Sequence, residues 1–410
     1  MQLLHQKLKF CLLFFPILLI YSCKNKNSVK NNGLNINSKA QIYFDSLYKT
    51  FDQKIADEKA FKLDSLFMDL YSKGIFNGNV LVSEKGHVIY KGSFGYKNLL
   101  TKEPLSLDTP FQLASISKQF TAVAIMQLME KGKLKYTDPV YKHVPNFPFD
   151  SSITIFSLLT HSSGIPNYIY CLDKVYDKTK PLTNKMVVEL MGIHKPGINY
   201  LPNVRFNYNN SNYMYLAYIV EKLSGLDFRT YVKKYLFEVA GMKHSFIYDP
   251  QKPEQIYEAA KGFETQNRAS IIDYLDSVVG DKGIYSTVSD LLLWDNALNT
   301  NRLIKPGTLA NALIPKLSFK NLETKNYGFG WRLKMLPDSS LQTFHTGWWH
   351  GFQTYYLHDA TTNSTIICLS NHANGYMANM KKVQAILYPE KSNYFIDDFQ
   401  EPDAENKESN

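Results

Sequence analysis

The sequence predicts an α+β protein: an antiparallel sheet flanked by helices and built from both ends of the chain, with a mainly helical subdomain inserted between. Three observations predict it. A hairpin pattern occupies Asn79 to Phe94, and four strand-like runs crowd between Tyr327 and Leu369. The stretch between them carries helical patterns and loop clusters but few strand signals. Late strands beside an early hairpin, with helices inserted, indicate α+β.

The first element is a helix, because Leu63, Leu66, Phe67 and Leu70 recur at i, i+3, i+4 and i+7 and share one face. The hairpin follows: Val80-Leu81-Val82, a Glu84-Lys85-Gly86 turn, then Val88-Ile89-Tyr90. A second helix runs from Ser115 to Lys131. Between Phe120 and Met129 only Thr121 and Gln127 are polar, so it is buried on nearly all sides, and Gly132 caps it. Tyr213 to Leu223, followed by Gly225, is a further helix of the middle region. The late strands are Tyr327 to Leu333, Leu341 to Thr346, Gly351 to His358 and Thr365 to Leu369. A last helix near Met377 to Tyr388 has Met380, Val383 and Leu387 on one face, and the acidic stretch to Asn410 is solvated. The expected sheet part is about 46–114 and 281–395 of a 46–395 domain. The helical part is about 115–280, and 396–410 is an acidic tail.

Composition bounds the function. The 410 residues amount to two or three domains of roughly 150 residues, or one large interleaved one. Hydrophobic residues at 44% and charged residues at 20% exclude disorder throughout, collagen and coiled coil. With 28 Tyr and 25 Phe, a large packed core is expected. The net charge of +9 is spread out, with no long Lys/Arg run and no zinc-finger motif, so no nucleic-acid partner is expected.

The N-terminus reads as an export signal. Lys7 and Lys9 precede an apolar run from Phe10 to Tyr21, too short to span a membrane. Ile20-Tyr21-Ser22-Cys23 resembles a bacterial lipoprotein cleavage box, with Tyr21 where a small residue is usual. Residues 1–22 are thus expected to be a signal peptide, Cys23 the lipidated residue, and 23–45 a tether. The protein would be held to the cell-envelope membrane through lipid, facing the periplasm or the surface. Cys171 and Cys368 are expected as free, buried thiols, and no C-x-x-C pair is present.

Three short motifs carry chemistry. Ser115-Ile116-Ser117-Lys118 puts a hydroxyl and an amine one helical turn apart, on the same face. A hydroxyl needs a base to attack at neutral pH, and burial disfavours a charged lysine. A surface lysine does not belong at the head of an all-apolar helix. In Tyr208-Asn209-Asn210 the Tyr hydroxyl suits proton relay and the Asn210 amide suits holding a substrate carbonyl. His345-Thr346-Gly347 ends a strand, where Gly347 admits close backbone approach and His345 and Thr346 reach a substrate's polar groups.

Together the three resemble the motifs of the penicillin-recognising serine hydrolases: class C β-lactamases, D-alanyl-D-alanine carboxypeptidases and related esterases. The segments Phe111 to Thr121, Leu158 to Pro166 and Gly283 to Asp290 are also similar to that family, over about Asn77 to Tyr388. The resemblance implies a β-lactamase/transpeptidase-like fold, Ser115 as acylated nucleophile, and Lys118 and Tyr208 sharing base and acid duties. It implies Asn210 as binder of the substrate amide, and the N–H groups of Ser115 and Trp348 as oxyanion hole. His345 matches the first position of the third motif, where the β-lactamases have lysine, and is grouped with the catalytic residues. Its imidazole fits a peptidase or esterase better than a β-lactamase. Trp348 and Trp349 stand where small residues are common, an apolar wall for a hydrophobic substrate group. The resemblance places His161 in a structural loop. No cofactor and no metal is expected: His345, His350 and His358 lie across a strand–loop–strand without H-E-x-x-H. Gly328-Phe329-Gly330 reads as strand glycine beside the site, Trp331 as packing and Arg332 as surface. The expected substrates are peptides ending in D-amino acids or esters. A β-lactam and an inactive, peptidoglycan-binding lipoprotein remain as alternatives.

Overall fold

The computed structural model describes residues 45–317 and 325–394. The expected signal peptide, the expected lipidation at Cys23, nearly all of the expected tether and the acidic stretch at the end lie outside the described residues.

Seven antiparallel strands form the main sheet. They are β1 (Gly78–Glu84), β2 (His87–Phe94), β3 (Lys325–Tyr327), β4 (Arg332–Met335), β5 (Leu341–Trp349), β6 (Phe352–Asp359) and β7 (Ser364–Ser370). Their spatial order is β3-β4-β5-β6-β7-β1-β2, so the early hairpin completes the sheet at the β7 edge. Both ends of the chain build one sheet, as the strand pattern predicts.

Period-two alternation divides the core into two. Val80 and Val82 of β1 and Ile366 and Cys368 of β7 face one way. There they meet Leu63, Phe67 and Leu70 of helix α1 (Gln53–Ser72) and Met380, Val383 and Leu387 of the C-terminal helix (Met380–Leu387). Leu81, Ile367 and Leu369 face the other way, toward α2 (Ser117–Glu130), α4 (Asn210–Ser224) and α5 (Val288–Asn299). A shorter helix, α3 (Asn184–His194), packs on α4; the C-terminal helix is α6. Each fully buried large side chain contributes about 1.5–3 kcal/mol.

Four expectations change. The run from Tyr327 to Leu333 is not one strand. A turn separates β3 from β4, because Gly330 adopts φ +91° and residue 328 has the Ala312 carbonyl where a Cβ would stand. Gly328-Phe329-Gly330 is therefore that turn and not strand glycine. The helix expected from Ser115 opens with a 3-10 turn, Ala114–Ile116, and becomes regular at Ser117. Among the described cysteines both are free, but only Cys368 is buried; Cys171 is half-buried and donates to Met191 Sδ at 3.4 Å.

A small sheet escaped the sequence reading. Phe111–Gln112 pairs with Ile284–Ser286, which pairs in turn with Phe246–Ile247. It fastens the segment before Ser115 to the segment after Asp281, two parts of the chain that meet at the site.

Candidate active site

Ser115 sits on the strained turn between the small sheet and α2. Ala114 just before it has φ +49°, a left-handed conformation that costs a non-glycine residue about 1 kcal/mol or more. Packing over-determines that turn. Leu113 N–H donates to the Ile284 carbonyl at 2.8 Å, and Thr354 Oγ1 donates to the Leu113 carbonyl at 2.8 Å. Strand β5 comes so close that a Cβ on Gly347 would lie 2.3 Å from the Leu113 carbonyl oxygen and 2.3 Å from Thr354 Oγ1. The missing side chain is what lets the Gly347–Trp348 backbone approach the turn that carries Ser115.

Lys118 is fully buried. Its Nζ lies 2.9 Å from Ser115 Oγ, 2.8 Å from Asn210 Oδ1 and 2.9 Å from the Asp281 carbonyl oxygen. The last two partners only accept. They engage two N–H groups and aim the remaining nitrogen position at the serine hydroxyl. Asn210 is delivered by α4, whose first turn is capped by the Asn209 side chain accepting the Ser211 N–H. The three sequence motifs thus converge on one point.

Tyr208 is half-buried within a cage of rings and cations. Its ring centroid is 4.7 Å from Lys118 Nζ and 5.1 Å from the Arg332 guanidinium carbon. The rings of His161, His345 and Tyr327 lie 4.4, 6.1 and 6.3 Å away. Arg332 is therefore not a surface residue: it is half-buried over the Tyr208 ring. An isolated arginine in a strand offers no sequence signal for that.

His345 is fully buried, and both ring nitrogens are taken. Nδ1 is 2.6 Å from the Thr346 carbonyl, so it carries the proton, and Nε2 accepts from Tyr327 Oη at 3.1 Å. Burial, with Arg332 and Lys118 nearby, pushes its pKa well below the usual range, so it stays neutral. His161 is likewise neutral, through burial and then Lys118, His345 and Arg332. It ties down the loop around Tyr208. Its carbonyl accepts Asn207 N–H at 2.9 Å, and its Nδ1 accepts Asn209 N–H and Asn212 Nδ2, both at 3.1 Å. Thr346 is half-buried. Trp348 is 58% exposed, whereas Trp349 is anchored, its Nε1 donating to Asp276 Oδ1 at 2.8 Å.

The three histidines of the β5–β6 region do not meet: His345 bonds Tyr327, His350 lies 3.2 Å from Asp276, and His358 lies 3.1 Å from Asp295. Beyond the motifs, the sequence reading missed Tyr327 and Arg332 around Tyr208 and the Asp281 carbonyl on Lys118.

Comparison with known proteins agrees with this geometry. The Beta-lactamase family model matches residues 49–388. Penicillin-binding protein 4* of Bacillus subtilis is 35% identical over 322 residues, covering 75% of this chain and 71% of that protein. The crystal structure of a penicillin binding protein from Bacillus halodurans superposes with a TM-score of 0.68 at 26% identity, covering 78% of this chain and 98% of that one. The D-amino acid amidase of Ochrobactrum anthropi SV3, at 20% identity and a TM-score of 0.66 over 85% of this chain and 99% of its own, shares the fold. The family match over most of the chain, with a serine on a strained turn, a buried lysine beside it and a glycine-edged strand, places the protein in the Beta-lactamase family of serine hydrolases.

Proposed function

We propose that the protein is a cell-envelope serine acyl-hydrolase that forms an acyl-enzyme on Ser115 and cleaves D-amino-acid-containing peptides or amides, or carboxylic esters. The observation that carries this reading is the 2.9 Å contact between Lys118 Nζ and Ser115 Oγ, with Asn210 and Asp281 holding the other side of the amine. As Ser115 Oγ bonds to the substrate carbonyl carbon, its proton passes to Lys118 Nζ. The oxyanion forms at the N–H groups of Ser115 and Trp348, where each preorganised donor contributes about 3 kcal/mol. The proton then goes to the leaving nitrogen or oxygen, with Tyr208 beside the amine as the second carrier. Water, activated by the same base, releases the acyl group. The Asn210 amide nitrogen is left to donate to the substrate carbonyl.

His345 narrows the substrate. Buried, neutral and bonded at both nitrogens, it supplies no positive charge for a substrate carboxylate. That favours amides and esters over substrates that present a free carboxylate at this position, β-lactams and peptides with a free D-amino-acid terminus alike. Trp349 is the fixed apolar wall, since its edge is bonded and Trp348 is open to solvent.

The test is intact-mass measurement of the domain after reaction with benzylpenicillin, a D-amino-acid amide and a p-nitrophenyl ester. An adduct on Ser115 and turnover of the amide or ester, both lost in Ser115→Ala, are expected. Turnover retained in Ser115→Ala would refute the mechanism. Anchoring through Cys23 is part of the proposal, supported by the sequence around it. Cys23→Ser should release the protein from the membrane fraction, and its retention there would remove the anchor.

A further inference from the structure

A second buried lysine stands beside the site, and the mechanism above leaves it without a task. The Lys282 side chain is 4% exposed and that of Asp281 is 0% exposed. Lys282 Nζ donates to Tyr168 Oη at 2.7 Å and to the Val278 carbonyl at 3.3 Å, and it lies 3.5 Å from Asp281 Oδ2. Tyr168 Oη in turn donates to Asp281 Oδ2 at 3.0 Å. The other carboxylate oxygen, Asp281 Oδ1, is buried and accepts no hydrogen bond. A buried ion pair gives little net stability once desolvation is counted, and an unsatisfied oxygen makes the balance worse. Stability alone is a poor reason for this cluster.

What it touches suggests a better one. The Asp281 backbone carbonyl is the acceptor that engages Lys118 Nζ at 2.9 Å. The surrounding segment is stitched to α2: Thr121 Oγ1 donates to the Gly280 carbonyl at 2.7 Å, and Ile284 N–H donates to Ser117 Oγ at 3.2 Å. In the opposite direction, Lys282 Nζ lies 4.8 Å from the centroid of the Trp349 ring, a cation–π contact. The edge of that ring is fixed by Asp276. Trp349 ends β5 and adjoins the Trp348 amide.

We propose that Lys282 is a positioning residue. Clamped by Tyr168 and Asp281, its ammonium holds in register the Asp281 carbonyl that orients Lys118 and the Trp349 indole that steadies the strand bearing the oxyanion amide. Lys282 is the charged group in contact with both the Asp281 side chain, whose residue's carbonyl meets Lys118, and the Trp349 ring, whose residue follows the Trp348 amide. The inference rests on the reading of Lys118 as the base for Ser115.

The test uses the full chain carrying Lys282→Met, which keeps length and loses charge, and Lys282→Arg, which keeps charge. Acylation of Ser115 by benzylpenicillin and by a p-nitrophenyl ester is followed over a concentration series, to separate the limiting rate from the half-saturating concentration. Lys282→Met should lower the limiting rate about 10-fold to 100-fold, the scale expected when a catalytic group is misplaced by about an ångström. The half-saturating concentration should stay within about twofold, and Lys282→Arg should recover most of the rate. A limiting rate unchanged in Lys282→Met, or reduced only in proportion to the unfolded fraction seen in thermal melting, would overturn the proposal. Should Lys282→Met fail to fold, Tyr168→Phe removes the hydroxyl between Lys282 and Asp281, and the same split with a smaller loss is expected. A wild-type protein inert to both reagents would sink the acyl-enzyme reading instead. The positioning role is then judged on the crystal structure of the variant. An Asp281 carbonyl still 2.9 Å from Lys118, with Trp349 unmoved, overturns it.

Discussion

The two faces of the sheet are built from different chemistry. Toward α1 and α6 the buried layer is almost wholly apolar: Phe67, Phe76, Phe94 and Tyr376 interlock as tilted and edge-on rings, with Leu, Val and Met filling between. Toward α2 and α4 the layer is just as buried, yet it holds Lys118, Gln119, His161, Asn212, Asp281 and Lys282. Buried polar groups cost free energy unless each is hydrogen-bonded, so that face needs irregular segments able to present carbonyls and amides inward. Residues 110–116, 160–167, 203–212 and 278–284 do this. One face gives cohesion; the other gives geometry.

The sharpest way to break the contrast is to exchange cohesion for geometry at one position. Lys118→Met keeps volume on the polar face but removes the amine. Turnover should fall about 10³-fold to 10⁴-fold, as for loss of a positioned base, measured as limiting rate on whichever amide or ester the wild type accepts. Phe67→Ala makes the opposite change. It should cost about 3–5 kcal/mol in denaturant unfolding while leaving turnover per folded molecule unchanged. If Phe67→Ala altered turnover directly, the two faces would not be separable in this way. Gly347→Ala lies between them. Its new Cβ meets the Leu113 carbonyl and Thr354 Oγ1, so β5 must retreat from the Ser115 turn. A loss of about 10²-fold in rate is expected, with about 1–3 kcal/mol of strain in the same variant.

The same division explains what the sequence disclosed. The helices on the apolar face obey a helical period, so Leu63, Phe67 and Met380 could be placed from spacing, whereas β1 and β7 are buried on both faces and the sequence shows only that they are strands. Within each motif the spacing of Ser115 with Lys118 and of Tyr208 with Asn210 is local; that the two motifs belong to one site was implied by the family resemblance, and the structure brings Lys118 and Asn210 within 2.8 Å. The Asp281 carbonyl on Lys118 was not legible, because a backbone acceptor carries no residue signature and its segment is 163 positions from the lysine. Arg332, read as a surface residue, and Tyr327, read only as the start of a strand, were missed at the site for a related reason. The break between β3 and β4 turns both toward Tyr208, and only the folded turn reveals it. His345 was placed in the right strand, but its burial depends on Tyr327 and Thr346, which no periodicity specifies.

The smallest effect comes from the edge where the polar face meets solvent. The hairpin between β5 and β6 turns at His350, whose ring sits 3.2 Å from Asp276 and 3.7 Å from Asp273. Burial opposes the imidazolium, but the two carboxylates outweigh it and raise the His350 pKa to about 9. Burial also opposes the Asp276 carboxylate; His350, the Asp273 N–H and the Trp349 N–H overcome it and hold its pKa below the ordinary value. A histidine whose pKa rises on folding contributes stability that is complete below its unfolded pKa of about 6.5 and fades as pH rises through the folded value. The aspartate contributes above its unfolded pKa of about 3.9 and fails below it. The turn should therefore be held most firmly between about pH 4 and 6.5 and loosen toward pH 9. Allowing for partial solvent screening at His350, the contribution is about 1–2 kcal/mol. His350→Gln should melt earlier than wild type at pH 6, and the gap should close by about pH 10. A gap that persists at high pH would mean that the ring packs rather than pairs.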